Sequence, residues 1–483
     1  MTKSRISMPV IFHTNNFIQN NREVSSNFDH QEQNQFQVTD KTRIISFSQK
    51  IPSIDPLAFL QQFSQHNSLH FYWENPGKQE AIAACGVTKK LTTESGDRFT
   101  IAKDFTRTCL RQTIRKGDSN LIGSGPHLFC SFTFFTECNK SYSPFPAATI
   151  FLPRFQVFKK NKNCVFVINL PVNNNEKIQT LTEEIRQKIN TFDWSDRENL
   201  NIDTNLENNW QKRDSSSKEN SDYLKSVVTS SLNSIAVDEF SKIVIAHTTD
   251  VHSPVPFRLI ESLNNLRQRH PDCYIFSTSN GKGQNFIGAS PERLISIQNK
   301  QLVTDALAGS APRGKTTAED VQLANLLLKS RKEKREHQAV SDFLLNRLRQ
   351  LDLKPQQLPL QLLQLSNIQH LWTPIYAHLP NDIDPLDIVA HLHPPPAVAG
   401  VPTEIACEQI RCYEKFDRSL YAAPLGWVDH QGNCEFIVGI RSALIDGDRA
   451  RLYAGAGIVS GSNPDKEFAE IQLKLQSLLK ALV

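Results

Sequence analysis

The sequence near the C terminus combines a glycine-rich turn with acidic and basic residues at helical spacing. The stretch 454–459 predicts a strand that runs into the turn, and the residues after it predict a helix. On that helix, Glu467, Glu470 and Lys474 share one face. Because backbone N–H groups bind anions and paired carboxylates bind metal ions, the segment predicts a pocket for a small carboxylate substrate that is held partly through a cation.

Two other interpretations apply to this segment. Glu470 and Lys474 stand four positions apart and would also form an ordinary ion pair on a solvated helix face. The residues Gly455 and Gly457 resemble part of a dinucleotide-binding turn, but Ser460 occupies the position of the third glycine and no strand–helix–strand unit follows. The dinucleotide interpretation therefore fails, and the glycine turn directly before the helix weakens the case for a solvated face.

Another acidic residue lies on a predicted helix over about 318–352. Val340, Phe343 and Leu344 follow Glu336 at helical spacing, so its carboxylate heads an apolar stripe that should face the core. A buried charge is costly unless it is paired or bound to a metal ion. Position alone favours a salt bridge to a core arginine and leaves metal binding as the alternative.

A candidate base and a candidate acid stand at the ends of predicted strands. Lys242 begins a very apolar strand, where burial would lower the pKa of a lysine and make it a usable base, although a lysine there more often extends its amine to water. Glu292 follows a tight turn and would serve as a general acid, although the neighbouring Arg293 also predicts an ion pair. Both interpretations stay open for each residue.

Arginine and histidine side chains supply further candidates. Arg441 ends a buried predicted strand, where its guanidinium would hold a carboxylate through two hydrogen bonds. His370 and His393 are isolated histidines, for which a structural role is the default. No histidine spacing typical of a zinc site surrounds them.

Size and composition limit the possible classes of protein. The chain has 483 residues, enough for one large core or two smaller ones, and its net charge of +4 is spread along the sequence, unlike that of a nucleic-acid-binding protein. The longest apolar runs are too short to cross a bilayer. The nine cysteines show no CxxC spacing, which predicts reduced thiols and a cytoplasmic protein, with a plastid stroma as the alternative.

The elements that must position these side chains predict an α+β fold. Strands and helices mix without regular βαβ alternation, which favours one large domain with antiparallel β-sheets at the core and helices around them. We predict a disordered tail over 1–40, an N-terminal part of the same fold over 41–221 with a polar loop near 190–221, and a catalytic region over 222–483. A domain boundary and a long insertion would both explain the polar loop.

Eight short motifs follow one another in the second half of the chain: Lys242–Ala246, Ala289–Leu294, Ala306–Ser310, Glu336–His337, His393–Ala397, Phe416–Ala422, Gly439–Arg441 and Tyr453–Val459. In this order they resemble the chorismate-binding enzymes. That family includes isochorismate synthase, salicylate synthase, anthranilate synthase component I and aminodeoxychorismate synthase. The resemblance covers about residues 222–483, and a weaker likeness extends over Phe129–Phe135 and Phe145–Leu152.

The resemblance implies a role for each candidate residue. Lys242 matches the base that activates a water, and Glu292 matches the acid that protonates the departing hydroxyl. The implied cofactor is Mg²⁺, with Glu336 and Glu470 as ligands and Glu467 acting through water. Contacts to chorismate are implied for Gly309, Ser310, His370, Ala397, Tyr421, Arg441, Gly455, Ala456 and Lys474.

The resemblance also orders the possible activities. Ala397 stands where the ammonia-using members carry threonine, and alanine fits water as the nucleophile. We therefore expect an isochorismate synthase, an isomerase that converts chorismate to isochorismate for menaquinone or phylloquinone biosynthesis. Salicylate synthase is the second possibility, and a catalytically inactive chorismate-binding subunit is the third. The expected partner is chorismate, without nucleic acid or membrane, and the expected assembly is a monomer or a weak homodimer.

Overall fold

The computed structural model describes residues 43–64, 67–136, 143–172, 178–194, 211–212, 217–365 and 368–482. The expected tail over 1–40 lies outside these ranges, and so does most of the expected loop near 190–221. The helices are α1 (Pro56–Phe63), α2 (Arg98–Arg111), α3 (Ile178–Thr191), α4 (Ser217–Ala236), α5 (Leu259–Arg269), α6 (Thr317–Lys329), α7 (Arg331–Arg349), α8 (Pro385–Leu392), α9 (Thr403–Tyr413) and α10 (Pro464–Leu482).

The strands within the same ranges are β1 (Arg43–Ile51), β2 (His70–Asn75), β3 (Glu80–Thr93), β4 (Thr113–Gly117), β5 (His127–Phe132), β6 (Ala148–Lys160), β7 (Asn163–Val172), β8 (Gln211–Lys212), β9 (Lys242–His252), β10 (Tyr274–Ser279), β11 (Gln284–Ser290), β12 (Arg293–Gln298), β13 (Gln301–Pro312), β14 (Gln356–Gln357), β15 (Gln361–Gln364), β16 (Ile368–His378), β17 (Gly400–Val401), β18 (Pro424–Asp429), β19 (Cys434–Val438), β20 (Ser442–Asp446) and β21 (Arg449–Val459).

These strands form one branched sheet, which is antiparallel apart from the parallel pair of β1 and β4. The branch lies at β6, which pairs with β3 along one edge and with β5 and β7 along the other. From β3 one arm runs through β2, β10, β11, β20 and β21 to β9. From β5 the second arm runs through β18, β19, β12 and β13 to β16. The predicted α+β fold with antiparallel sheets is confirmed.

Central strands of both arms are buried on both faces. Every residue of β5, β10 and β18 is buried, which is typical of strands that are covered on each side. Helices supply the cover, because α1 and α2 pack on β3 and β6, α5 packs on β10 and β11, and α10 packs on β21. Large side chains such as Trp73, Phe129 and Phe436 fill the interior, and each contributes roughly 1.5–3 kcal/mol of hydrophobic stabilisation.

Two predicted helices differ from those observed. The helix expected over about 318–352 is two helices, because the Ser330 hydroxyl accepts a hydrogen bond from the Glu333 N–H at 3.2 Å and so caps the start of α7. Residues 329–338 are all polar or charged, so no apolar periodicity locates the break, and the Ser-x-x-Glu pattern is the local signal that marks it. The helix expected over about 99–116 ends at Arg111, and the next residues form β4, which pairs with β1.

A close approach of two backbones holds the strand that begins with Lys242. Gly400 of β17 pairs with Ile243 of β9. A Cβ atom at Gly400 would lie 2.3 Å from the Lys242 carbonyl oxygen and 2.5 Å from the Ala406 Cβ. Only glycine fits at this position, and it fixes the strand that presents Lys242.

We expect Gly400→Ala to lower the free energy of unfolding by about 3 kcal/mol, because the methyl group has no space. The matched control is Gly432→Ala, at a glycine with φ of +80° and no atom within 4 Å of an added Cβ. Gly432→Ala should lower the free energy of unfolding by only about 1 kcal/mol, the cost of placing a residue with a Cβ atom in the left-handed region. Urea unfolding measures both, and equal losses would contradict the close approach.

Candidate active site

The candidate residues meet in one cavity that the two arms of the sheet form with two helices. One arm contributes β9 and β21, the other contributes β13 and β16, and α7 and α10 complete the wall. Acidic and basic groups from remote parts of the chain therefore face one another. The lining residues predicted from the sequence are Lys242, Glu292, Gly309, Ser310, Glu336, His370, Ala397, Tyr421, Arg441, Gly455, Glu467, Glu470 and Lys474.

Ala456 is the one predicted site residue that the structure does not bring into this cavity. It is buried with 2% exposure. Successive residues of a strand point to opposite faces, and its neighbours Gly455 and Gly457 are the ones that line the cavity. The contact expected for Ala456 therefore has no support in the side-chain positions.

Lys242 and Glu336 form a buried ion pair. The Lys242 Nζ donates to Glu336 Oε1 at 2.7 Å, and Lys242 is only 3% exposed. Burial alone would raise the pKa of Glu336, but the charge and hydrogen bond of Lys242 bring that pKa below its usual range. The lysine thus points into the protein rather than to water, and the partner of Glu336 is this lysine rather than a core arginine.

Two pairs of carboxylates line the cavity, each with i,i+3 spacing on its helix. Glu333 and Glu336 stand on α7, and Glu467 and Glu470 stand on α10. Burial raises the pKa of Glu333, and the negative charges of Glu336 and Glu470 raise it further. Burial and the charge of Glu470 also raise the pKa of Glu467. Glu333 is a lining residue that was not predicted from the sequence, although its spacing from Glu336 repeats that of the C-terminal pair.

The amine of Lys474 connects α10 to the glycine-rich strand. Its Nζ donates to the Gly455 carbonyl oxygen at 2.9 Å and contacts Glu470 Oε1 at 2.8 Å. The start of the helix is fixed by Asn463, whose side-chain oxygen accepts hydrogen bonds from the N–H groups of Asp465 and Lys466. The expected i,i+4 pair therefore exists, but at the wall of the cavity.

The carboxylates offer the donor chemistry that a hard divalent cation requires. Across the described part of the chain, no three carboxylate, imidazole or thiol groups are already arranged as a coordination shell. Glu336 and Glu470 each contact a lysine instead. Four carboxylates in one cavity nevertheless supply only oxygen donors, which Mg²⁺ prefers, and a cation there would relieve their mutual repulsion. The donor set fits Mg²⁺.

Glu292 is held at the turn between β11 and β12 and is 7% exposed. Its N–H donates to the Ser290 hydroxyl, and its carbonyl accepts from the Val438 N–H. Burial raises the pKa of Glu292 to about 7, while Lys242 lowers it and Asp305 raises it. Arg293 pairs with Asp305 at 2.8 Å rather than with Glu292. The carboxyl is therefore suited to donate a proton near neutral pH.

Other residues that line the cavity suit an anion. Arg441 has φ of +50°, and within the described ranges its guanidinium has only the weak acceptor Cys273 Sγ, at 3.8 Å, as a hydrogen-bond partner. Burial raises the pKa of Tyr421, whose hydroxyl therefore stays a donor. A Cβ atom at Gly455 would lie 2.9 Å from this hydroxyl oxygen. A carboxylate would find an arginine and a phenol here.

The two histidines singled out from the sequence have different surroundings. His370 lines the cavity, and its Nδ1 is 2.8 Å from the Ser310 hydroxyl, while its buried Nε2 has no hydrogen-bond partner among the residues that the structure describes. Burial, aided by Arg441, lowers the pKa of His370 to about 3, so the ring is neutral. His393 lies outside the cavity, where its Nε2 is 3.0 Å from the Phe134 carbonyl oxygen. The first can contact a ligand, and the second is structural.

The profile of a family described as chorismate binding enzyme matches residues 30–483. The chain belongs to this family, and the resemblance of its motifs is confirmed. It is 29% identical over 450 residues to isochorismate synthase MenF of Bacillus subtilis, a match that covers 91% of this chain and 93% of the relative. It is 39% identical over 259 residues to the salicylate biosynthesis isochorismate synthase of Pseudomonas aeruginosa, covering 53% of each chain.

A solved structure supports the same relationship. MenF, the menaquinone-specific isochorismate synthase from Escherichia coli, matches with a TM-score of 0.73 and 26% identity, covering 92% of this chain and 95% of that one. None of the helices in the described ranges is long and apolar enough to span a membrane.

The raised pKa of Glu292 predicts how stability changes with pH. The native state holds this proton more tightly than the unfolded chain, so the stabilisation is complete below pH 4.5 and is lost as the pH rises through about 7. Glu292→Gln replaces the carboxyl group with a neutral amide, so this contribution to the pH dependence of stability disappears. Between pH 5 and 8 we expect the variant to gain about 2 to 3 kcal/mol of unfolding free energy relative to wild type.

Urea unfolding of both proteins at the two pH values measures this gain. The control is Glu404→Gln, which removes a carboxyl whose side chain is 75% exposed. A stability difference between Glu292→Gln and wild type that stays constant with pH would contradict the raised pKa.

Proposed function

We propose that the chain is an isochorismate synthase, an isomerase that adds water at C2 of chorismate and removes the hydroxyl at C4. The observation that carries the proposal is that a buried amine, a buried carboxyl with a pKa of about 7 and four carboxylates face one cavity. Isochorismate synthases also match about nine tenths of the chain, from end to end of the fold. The names of these relatives support a role of the product in menaquinone biosynthesis.

The proposed reaction takes one proton from the attacking water and gives another to the departing hydroxyl, each at its own side chain. The ion pair with Glu336 holds the Lys242 amine charged in the resting site, so Lys242 must lose that proton before it accepts one from the attacking water as the new C2–O bond forms. The ring double bonds shift, the C4–O bond breaks, and Glu292 gives its proton to the departing hydroxyl, which leaves as water. Burial of Glu292 supports this role because it keeps the carboxyl protonated near neutral pH.

The two carboxylates of chorismate would bind to two neighbouring groups of lining residues, which meet where Lys474 contacts Glu470 at 2.8 Å. Arg441, Tyr421 and Lys474 supply donors for the enolpyruvyl carboxylate. Glu336 and Glu470, with Glu333 and Glu467 beside them, would hold Mg²⁺, which supplies the positive charge that the ring carboxylate needs. The backbone at Gly309 and Ser310 lies beside the same group of carboxylates, since the Ser310 N–H donates to Glu333 Oε2 at 3.2 Å.

The wall at Ala397 favours water as the nucleophile. Its methyl group and the apolar neighbours Val244 and Val398 line the cavity together with Lys242. These side chains offer no hydrogen-bonding group that would select ammonia. A water held by the lysine amine therefore meets no competing side chain at this wall.

We expect Lys242→Ala to lower the turnover of chorismate at least about 100-fold, because the reaction loses its base. The circular dichroism spectrum should stay that of the wild type. The matched control is Lys160→Ala, at a strand-end lysine that lies 3.8 Å from Glu80 and outside the cavity. Chorismate consumption in the presence of Mg²⁺ is the measurement, and near-normal activity of Lys242→Ala would exclude it as the base.

Chromatography of the products from the wild-type reaction distinguishes the three possible functions. Isochorismate as the product supports the proposal. Salicylate would indicate a salicylate synthase, and unchanged chorismate would indicate an inactive binding subunit.

We expect Glu470→Gln to raise the Mg²⁺ concentration that gives half-maximal activity by roughly tenfold or more, because a neutral amide is a weaker ligand. Titration of activity with Mg²⁺ measures the change, with Glu404→Gln as the control outside the cavity. An unchanged Mg²⁺ dependence would count against Glu470 as a ligand.

A further inference from the structure

A second buried ion pair lies directly behind the cavity. The Arg418 side chain is 1% exposed and that of Glu414 is 2% exposed. The Arg418 Nε donates to Glu414 Oε2 at 2.8 Å, and its Nη2 donates to Glu414 Oε1 at 2.6 Å. Neither residue lines the cavity. A pair without contact to a ligand can act only through the segments that it holds.

The remaining hydrogen bonds of the pair reach two walls of the cavity. Arg418 Nη2 donates to the Val244 carbonyl oxygen, and Nη1 donates to the Val398 carbonyl oxygen, each at 2.8 Å. Glu414 Oε1 accepts from the Ala246 N–H at 2.7 Å. Val244 lies two residues after Lys242 on β9, and Val398 follows Ala397 in the chain. One guanidinium therefore bonds both the strand of the proposed base and the wall beside the proposed nucleophile.

The backbone of Arg418 also bonds Tyr421, which forms a third part of the cavity wall. The Arg418 carbonyl oxygen accepts from the Tyr421 N–H at 2.7 Å, which fixes the turn that presents the Tyr421 ring to the cavity. The guanidinium lies 4.4 Å from the centre of the Phe134 ring on one side and 5.9 Å from that of Tyr421. These aromatic rings leave the arginine little freedom to move.

Burying this ion pair costs desolvation free energy, so its contribution must be sought in the geometry that it imposes. Ion pairs in protein interiors often stabilise no more than an apolar replacement would, because desolvation offsets the attraction. What the planar guanidinium adds is direction, since its N–H groups point along fixed axes to separate acceptors. A lysine at the same position would keep the charge and lose most of these directions.

We propose that Glu414 and Arg418 are positioning residues that, together with the direct pairing of β9 and β17, set the distance between Lys242 and the wall at Ala397. The proposal rests on the proposed function, because it concerns where the attacking water stands. Movement of either segment by about 1 Å would misalign the base, the water and the ring carbon, and such misplacement is worth up to roughly 100-fold in rate.

Arg418→Lys tests this proposal with two independent measurements. The matched control is Arg267→Lys, since Arg267 bonds Asp55 at 2.7 and 3.1 Å in a partly buried pair away from the cavity. We expect kcat per folded molecule to fall at least roughly tenfold in Arg418→Lys, with a smaller change in KM, and to stay within twofold in the control. We also expect faster hydrogen exchange in segments 242–248 and 394–401 of Arg418→Lys only.

The two measurements separate this proposal from the assignment of function. If wild type converts no chorismate, the proposed function fails, and the exchange rates still judge whether the pair holds the two segments. Unchanged exchange in both segments, or a kcat within twofold of wild type, would overturn the proposal. If Arg418→Lys does not fold, Glu414→Gln replaces it, because the amide keeps an acceptor for the Ala246 N–H and removes the charge.

Discussion

Repulsion between carboxylates that share a buried cavity is the constraint on which this site depends. Glu333 and Glu336 from α7 meet Glu467 and Glu470 from α10, and each helix brings its two acids to one face by i,i+3 spacing. Lysines offset part of the charge, at 2.7 Å from Glu336 and 2.8 Å from Glu470. A divalent cation would offset more of it, and its position would fix where a carboxylate substrate can bind.

The fold supports this concentration of charge by bringing two sheet arms together at their ends. The arm that ends in β9 and β21 presents a lysine and bare glycine backbone, while the arm with β13 and β16 presents a backbone turn and a neutral histidine. The buried pair of Glu414 and Arg418 joins the first arm to the loop that carries Ala397. The hydrogen bonds of this pair therefore stabilise the fold and also position residues of the site.

Much of the fold and the site could be predicted from the sequence because the signals were local. Motif order identified the family, and strand and helix periodicity identified the α+β class. Contacts with residues elsewhere in the chain could not be predicted. They are the lysine partner of Glu336, the pairing of Arg293 with Asp305, and the hydrogen bonds from Arg418 to the carbonyl oxygens of Val244 and Val398. The break at Ser330 and the place of Glu333 were visible in the Ser-x-x-Glu pattern and the i,i+3 spacing, but the stretch 329–338 has no apolar residue whose spacing would show where one helix ends and the next begins.

Crystals of the protein soaked with Mn²⁺ would show where a divalent cation binds, because anomalous scattering locates that ion without reference to activity. We expect one strong peak in the cavity, at about 2 Å from carboxylate oxygens of both Glu336 and Glu470. A fully bound ion elsewhere, or contact with acids from only one of the two helices, would contradict this expectation.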